Sequence, residues 1–171
     1  AYNAEVCQGN TANAEDVKAF YSNLNSKGYA VTAKGYSGKD ITIADKSDFI
    51  NAKNYNVLYW SGHGGGGGTN ATLNITQNSS KWFNTFEAAD KWKNTYDLKV
   101  AIIAACYQFN GNGLRGKWAD IMKNSGLKVL AGYHEKAPAS TDTKIANEFF
   151  RLANETRGSS QGNSVRYSWQ Q

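Results

Sequence analysis

One proline, Pro138, and two cysteines, Cys7 and Cys106, are all that a chain of 171 residues contains of either type. Two cysteines are too few for a disulfide framework and lack the spacing of a metal site. Both sit in apolar segments that read as separate strands, so a single bridge between them is the most that oxidation adds. Histidine is equally scarce, with His63 and His134 alone. No apolar run approaches the roughly 20 residues needed to cross a bilayer, so no membrane span is expected. The lysines stand singly or in short groups. A formal charge of +5 spread in this way supports solubility and does not define a nucleic-acid groove. The glycines from Gly64 to Gly68 lack the Lys-Ser/Thr of a phosphate loop, and no ligand cluster is present, so neither an organic cofactor nor a metal is expected. The chain starts at Ala1 and not at methionine, from which we expect that a preceding segment was removed.

What the chain does contain is apolar and aromatic material, at 40% and 13%, enough to bury one substantial core over 171 residues but not two. A single domain over 1–171 is expected, with its core at about 2–155 and a polar tail or edge strand at 157–171. Residues 2–8 read as a first strand. Val17, Phe20, Tyr21 and Leu24 follow the i, i+3, i+4, i+7 spacing of an amphipathic helix, with Thr11 or Asn13 to cap it and Gly28 to end it. A second strand over 29–36 closes at Ser37-Gly38, and a short helix follows near 47–52. Val57-Leu58-Tyr59-Trp60 is a short apolar run of strand formers. Gly65 to Gly68 then read as a flexible flap, followed by a polar stretch to Ser80. The spacing of Trp82, Phe86 and Ala89 predicts a helix carrying them on one face.

Leu98 to Ala105 is the strongest buried strand pattern and ends at Cys106. Leu114, Trp118, Ile121 and Met122 share a helical face closed by Gly126. Leu127 to Gly132 is a further buried strand that runs into Tyr133-His134-Glu135. Ile145, Phe149 and Leu152 mark a helix over 141–155, capped by Ser140 or Thr141. Asn70-Ala71-Thr72, Asn74-Ile75-Thr76, Asn78-Ser79-Ser80 and Asn154-Glu155-Thr156 fit the glycosylation pattern, but an asparagine-rich chain produces such matches by chance. Strands and helices thus alternate with connections long enough for parallel crossovers. The expected architecture is a three-layer α/β/α sandwich on a mostly parallel sheet.

In such a sheet, chemistry sits beyond the carboxyl ends of the strands. Two of those ends carry His63 and Cys106. If their strands are neighbours, they lie about 4.8 Å apart in the pairing direction, and the imidazole can act as base or ion-pair partner for the thiol. The N–H groups of Gly64 and Cys106 then form a candidate oxyanion site. A buried strand ending in Ser61-Gly62-His63-Gly64, followed by one ending in Ala104-Ala105-Cys106, resembles the caspase-like cysteine peptidases, the group of caspases, legumains, gingipains, clostripain and separase. The order, histidine before cysteine, is also theirs.

The resemblance implies a caspase-like fold and a cysteine endopeptidase that acts on a peptide or protein substrate. Cys106 is then the nucleophile, His63 the proton shuttle and Gly64 an oxyanion donor. The resemblance also suggests a secreted or cell-surface bacterial setting. Caspases and legumains place Gln or Glu two residues before the cysteine, where this chain has Ala104, and Tyr107-Gln108-Phe109-Asn110 match no subfamily pattern. Ala104, Tyr107 and His134 are the candidate substrate contacts. Two other readings stand beside this one: a catalytically silent binding or cell-surface module on a peptidase-like fold, and an amidotransferase-like thiol enzyme in which His134 and Glu135 serve Cys106.

Overall fold

The computed structural model describes residues 2–9, 15–35, 44–74, 82–138 and 142–154. The expected caps Thr11, Asn13, Ser140 and Thr141, the close of the second strand at Ser37-Gly38, the stretch 75–80 and the tail 157–171 lie outside these residues. Five parallel strands form the central sheet: β1 (Asn3–Gln8), β2 (Ala30–Lys34), β3 (Val57–Ser61), β7 (Val100–Ala104) and β8 (Val129–Gly132). Their spatial order is β2-β1-β3-β7-β8. Three short antiparallel strands, β4 (Gly64–Gly67), β5 (Asn70–Asn74) and β6 (Trp82–Asn84), form a second sheet in the order β4-β5-β6.

Among the described residues there are five α-helices, α1 (Glu15–Ser26), α2 (Lys46–Asn51), α3 (Thr85–Lys91), α4 (Gly111–Lys123) and α5 (Asp142–Asn154), with a short 3-10 turn (Ala52–Asn54) after α2. α1 and α5 cover one face of the central sheet. Val17, Phe20 and Leu24 of α1 are buried there with Phe149 and Phe150 of α5, against Ala4, Val6, Tyr59, Ile102 and Ala104 of the strands. Phe20 stacks flat on Tyr59 and meets Phe150 edge-on. α2, α3 and α4 cover the other face, where Phe49 stacks on Trp92 at 4.8 Å and meets Trp60 edge-on at 5.1 Å. Each such ring contributes about 1.5–3 kcal/mol by leaving water. The result is the three-layer α/β/α sandwich that alternating apolar strands and amphipathic helices predict.

Three expectations need correction. Gly65 to Gly67 are not a flap; with Gly64 they form β4, paired to β5 in the register Gly64↔Leu73 to Gly67↔Asn70. Ala71 and Leu73 alternate with polar residues, so β5 has one buried face and holds the glycine strand against the core. The helix expected to include Trp82 starts three residues later. Asn84 accepts from the N–H groups of Phe86 and Glu87 while the Glu87 carboxylate accepts from the Asn84 N–H, a reciprocal cap that fixes the start at Thr85. That start turns Thr85, Ala88 and Trp92 inward and leaves Phe86 half exposed beneath the Lys117 ammonium at 4.7 Å. Ile145 is only half buried, and Ala146 takes its place inside. Gly28 ends α1 as expected, with φ of +82°.

Candidate active site

β3 and β7 are neighbours, paired in parallel from Val57↔Val100 to Ser61↔Ala104. The Gly62 N–H continues the ladder to the Ala104 carbonyl at 3.2 Å. His63 and Cys106 therefore leave the sheet in step, each two residues past the last registered pair. β1 lies on the other side of β3, and the sheet reverses its strand order between them, the position at which open α/β sheets hold their ligands.

From the opposite side, the segment after β8 runs along the turn that carries Cys106. Tyr107 donates its N–H to the Glu135 carbonyl at 2.8 Å, and Phe109 donates to the Tyr133 carbonyl at 3.1 Å. The Ala137 N–H reaches the Cys106 Sγ at 3.3 Å. A backbone donor thus holds the sulfur against the segment that follows β8. The turn itself is strained: Tyr107 has φ of +60°, in the left-handed region that side chains with a Cβ avoid. Among the described residues the Cys106 N–H donates to no acceptor, so it is available to a developing oxyanion.

The structure thus brings His63, Gly64, Cys106, Tyr107 and His134 to one edge of the sheet. Cys106 is half buried, and both histidines are exposed. Neither imidazole makes a hydrogen bond to the Cys106 thiol. His134 Nδ1 lies 4.0 Å from its neighbour Glu135 Oε1. Ala104 is different: its side chain is 3% exposed and lies in the core beside Tyr59 and Ile102, so it cannot line a substrate pocket. Gly64 has a structural reason to be glycine. A Cβ there would fall 2.6 Å from Gln108 Nε2, 2.8 Å from Ala105 Cβ and 2.9 Å from the Cys106 carbonyl oxygen. The strand after His63 therefore lies directly on the Cys106 turn, and only a residue without a side chain allows it.

The second thiol has another environment. Cys7 and Cys106 are both free. Cys7 is fully buried under α2, and burial first, then the neighbouring Glu5 and Asp48 carboxyls, push its pKa well above the usual thiol value. It remains protonated and out of reach of solvent. Two features of the candidate site escaped the sequence reading. The donors and acceptors on residues 133–137 are backbone groups and leave no mark in a sequence. Gln108 did leave one, as an amide between Tyr107 and Phe109 just past a buried strand.

No family model, curated protein or solved structure matches this chain. The likeness to caspase-like peptidases therefore rests on the two short blocks quoted above. Among the described residues no helix is long and apolar enough to cross a membrane, and no three His, Cys, Asp or Glu side chains group as metal ligands.

Proposed function

We propose that the chain is a cysteine endopeptidase in which Cys106 attacks the substrate and His63 moves the proton. The observation that carries this reading is the parallel register of β3 and β7, which delivers the imidazole and the thiol to adjacent strand ends. The Ala137 N–H on sulfur and the unengaged Cys106 N–H support it. His63 takes the thiol proton, and the thiolate attacks the amide carbonyl carbon. The carbonyl oxygen becomes an oxyanion and accepts from the Cys106 N–H. The imidazolium then gives its proton to the leaving amine as the C–N bond breaks, leaving a thioester on Cys106. Water, deprotonated by His63, attacks that thioester and releases the acid with the thiol restored.

Strand order alone supports no particular activity, because doubly wound sheets host many. The test is therefore chemical. A peptide library is incubated with the unaltered chain, Cys106→Ala and His63→Ala, with cleavage read by mass spectrometry. The unaltered chain should cleave, Cys106→Ala should not, and His63→Ala should lose about 10²-fold or more. Absence of any Cys106-dependent cleavage would move the assignment to a binding module on the same fold.

A second reading keeps the nucleophile and changes the base. It is favoured by the contact of residues 133–137 with the Cys106 turn and by the proximity of His134 to Glu135. If His134→Ala abolishes the reaction and His63→Ala does not, this reading replaces the first.

A further inference from the structure

Gln108 is fully buried, yet it is polar and its Oε1 has no partner among the described residues. Its Nε2 donates to two carbonyls at once, that of Cys106 at 3.1 Å and that of Thr72 on β5 at 3.2 Å. Its own backbone carbonyl accepts from Trp118 Nε1 of α4 at 2.9 Å. One residue thus ties the glycine hairpin, the Cys106 turn and α4 together. Leaving a buried amide oxygen unpaired is unfavourable, and the left-handed Tyr107 next to it adds a further cost. A position selected for packing alone would hold an apolar residue of the same size. Two unfavourable features beside the candidate nucleophile point to a task that packing does not explain.

The task is legible in the peptide group that joins Cys106 to Tyr107. Gln108 holds its carbonyl, and the Glu135 carbonyl holds its N–H. A peptide plane fixed at both ends sets the ψ angle of Cys106, and with it the direction of the Cα–Cβ bond from which the thiol projects. That direction brings Sγ to the Ala137 N–H.

We propose that Gln108 is a positioning residue that aims the Cys106 thiol, and through it maintains the hydrogen bond from the Ala137 N–H to the sulfur. This rests on the reading of Cys106 as the nucleophile and deepens it. The test measures iodoacetamide alkylation of each cysteine against pH by intact mass and peptide mapping, in the unaltered chain, Gln108→Met and Gln108→Glu. Methionine keeps the volume and removes the donor. Cys106 in Gln108→Met should react about tenfold more slowly near neutral pH, while Cys7 stays unlabelled as a reporter of the intact core. In Gln108→Glu, a protonated carboxyl still donates to one carbonyl and an ionised one repels both. The ratio of its Cys106 rate to that of the unaltered chain should therefore fall as pH rises.

An unchanged Cys106 profile in Gln108→Met, or a Gln108→Glu ratio constant with pH, would overturn the proposal. So would labelling of Cys7 alongside Cys106, which would make Gln108 a prop for the whole core. The readout is the thiol itself, so failure of the unaltered chain to cleave peptides refutes the peptidase reading and leaves this measurement decisive for Gln108.

Discussion

Cys7 lies in β1 and Cys106 just past β7, strands of one parallel sheet separated only by β3. Cys7 lies inside β1, in register with Lys34 and Trp60, and its side chain enters the layer between sheet and helices. Cys106 lies two residues beyond the end of β7, where the chain has left the sheet and the thiol meets the Ala137 N–H at the rim. The same side chain is a core filler in one place and a candidate nucleophile in the other. A displacement of a few residues relative to the strand end separates the two, because a strand interior removes water while a strand end presents unpaired N–H groups.

The comparison is broken most strongly by opening the layer above Cys7. Phe49→Ala removes a fully buried ring stacked on Trp92 and edge-on to Trp60, and should destabilise the fold by about 3–5 kcal/mol in urea denaturation. It should also bring Cys7 within reach of iodoacetamide. If Cys7 stays inert in so weakened a fold, burial is not what protects it.

Glu5 offers a second way in. It shares β1 and its face with Cys7, is 2% exposed, and has Oε2 without a partner among the described residues. Burial first, and then Asp48 on α2, raise its pKa from 4.5 to about 8, against an opposing effect of Lys34 on β2. The folded chain therefore keeps a proton that the unfolded chain has lost between these values. The unfolded state binds fewer protons, so unfolding free energy falls as pH rises through this window, by at most about 4–5 kcal/mol. Glu5→Gln should abolish that slope in denaturation curves taken from acid to mildly alkaline pH. A slope that survives the substitution would assign it to another group.

Gly64→Ala acts on the other thiol. The contacts under 3 Å that its Cβ would make force the hairpin away from the Cys106 turn, at about 1–3 kcal/mol. Alkylation of Cys106 should change and that of Cys7 should not; the reverse pattern would separate the hairpin from the site. The smallest effect is expected from Asp45→Ala. Asp45 caps α2 by accepting from the Ser47 and Asp48 N–H groups while Asp48 returns a bond to the Asp45 N–H. Its loss should lower the melting free energy by about 1 kcal/mol and loosen only the Cys7 side.

Much of the frame was readable from local pattern. The spacing of Val17, Phe20 and Leu24 marked α1, and the apolar runs ending at Trp60 and Ala105 marked β3 and β7, because both periodicities are imposed within a few residues. The glycine strand was not readable: Gly64 to Gly67 have no side chains with which to show a period, and their pairing with β5 depends on the buried faces of Ala71 and Leu73. Phe86 misled for a related reason, since the reciprocal cap at Asn84 and Glu87 decides which way the helix turns. At the site, His63 and Cys106 could be found as titratable groups at strand ends.

By itself the sequence determined an α/β chain, two cysteines in separate apolar segments, and an imidazole and a thiol at the ends of apolar runs. Only the tertiary structure decided that β3 lies beside β7, that Ala104 faces inward, that Cys7 is sealed under α2, and that Ala137 and Glu135 reach the Cys106 turn. Periodicity is a local property and survives in a sequence. Strand order and backbone hydrogen bonds join residues far apart in the chain through groups that every residue carries alike, so no residue type announces them.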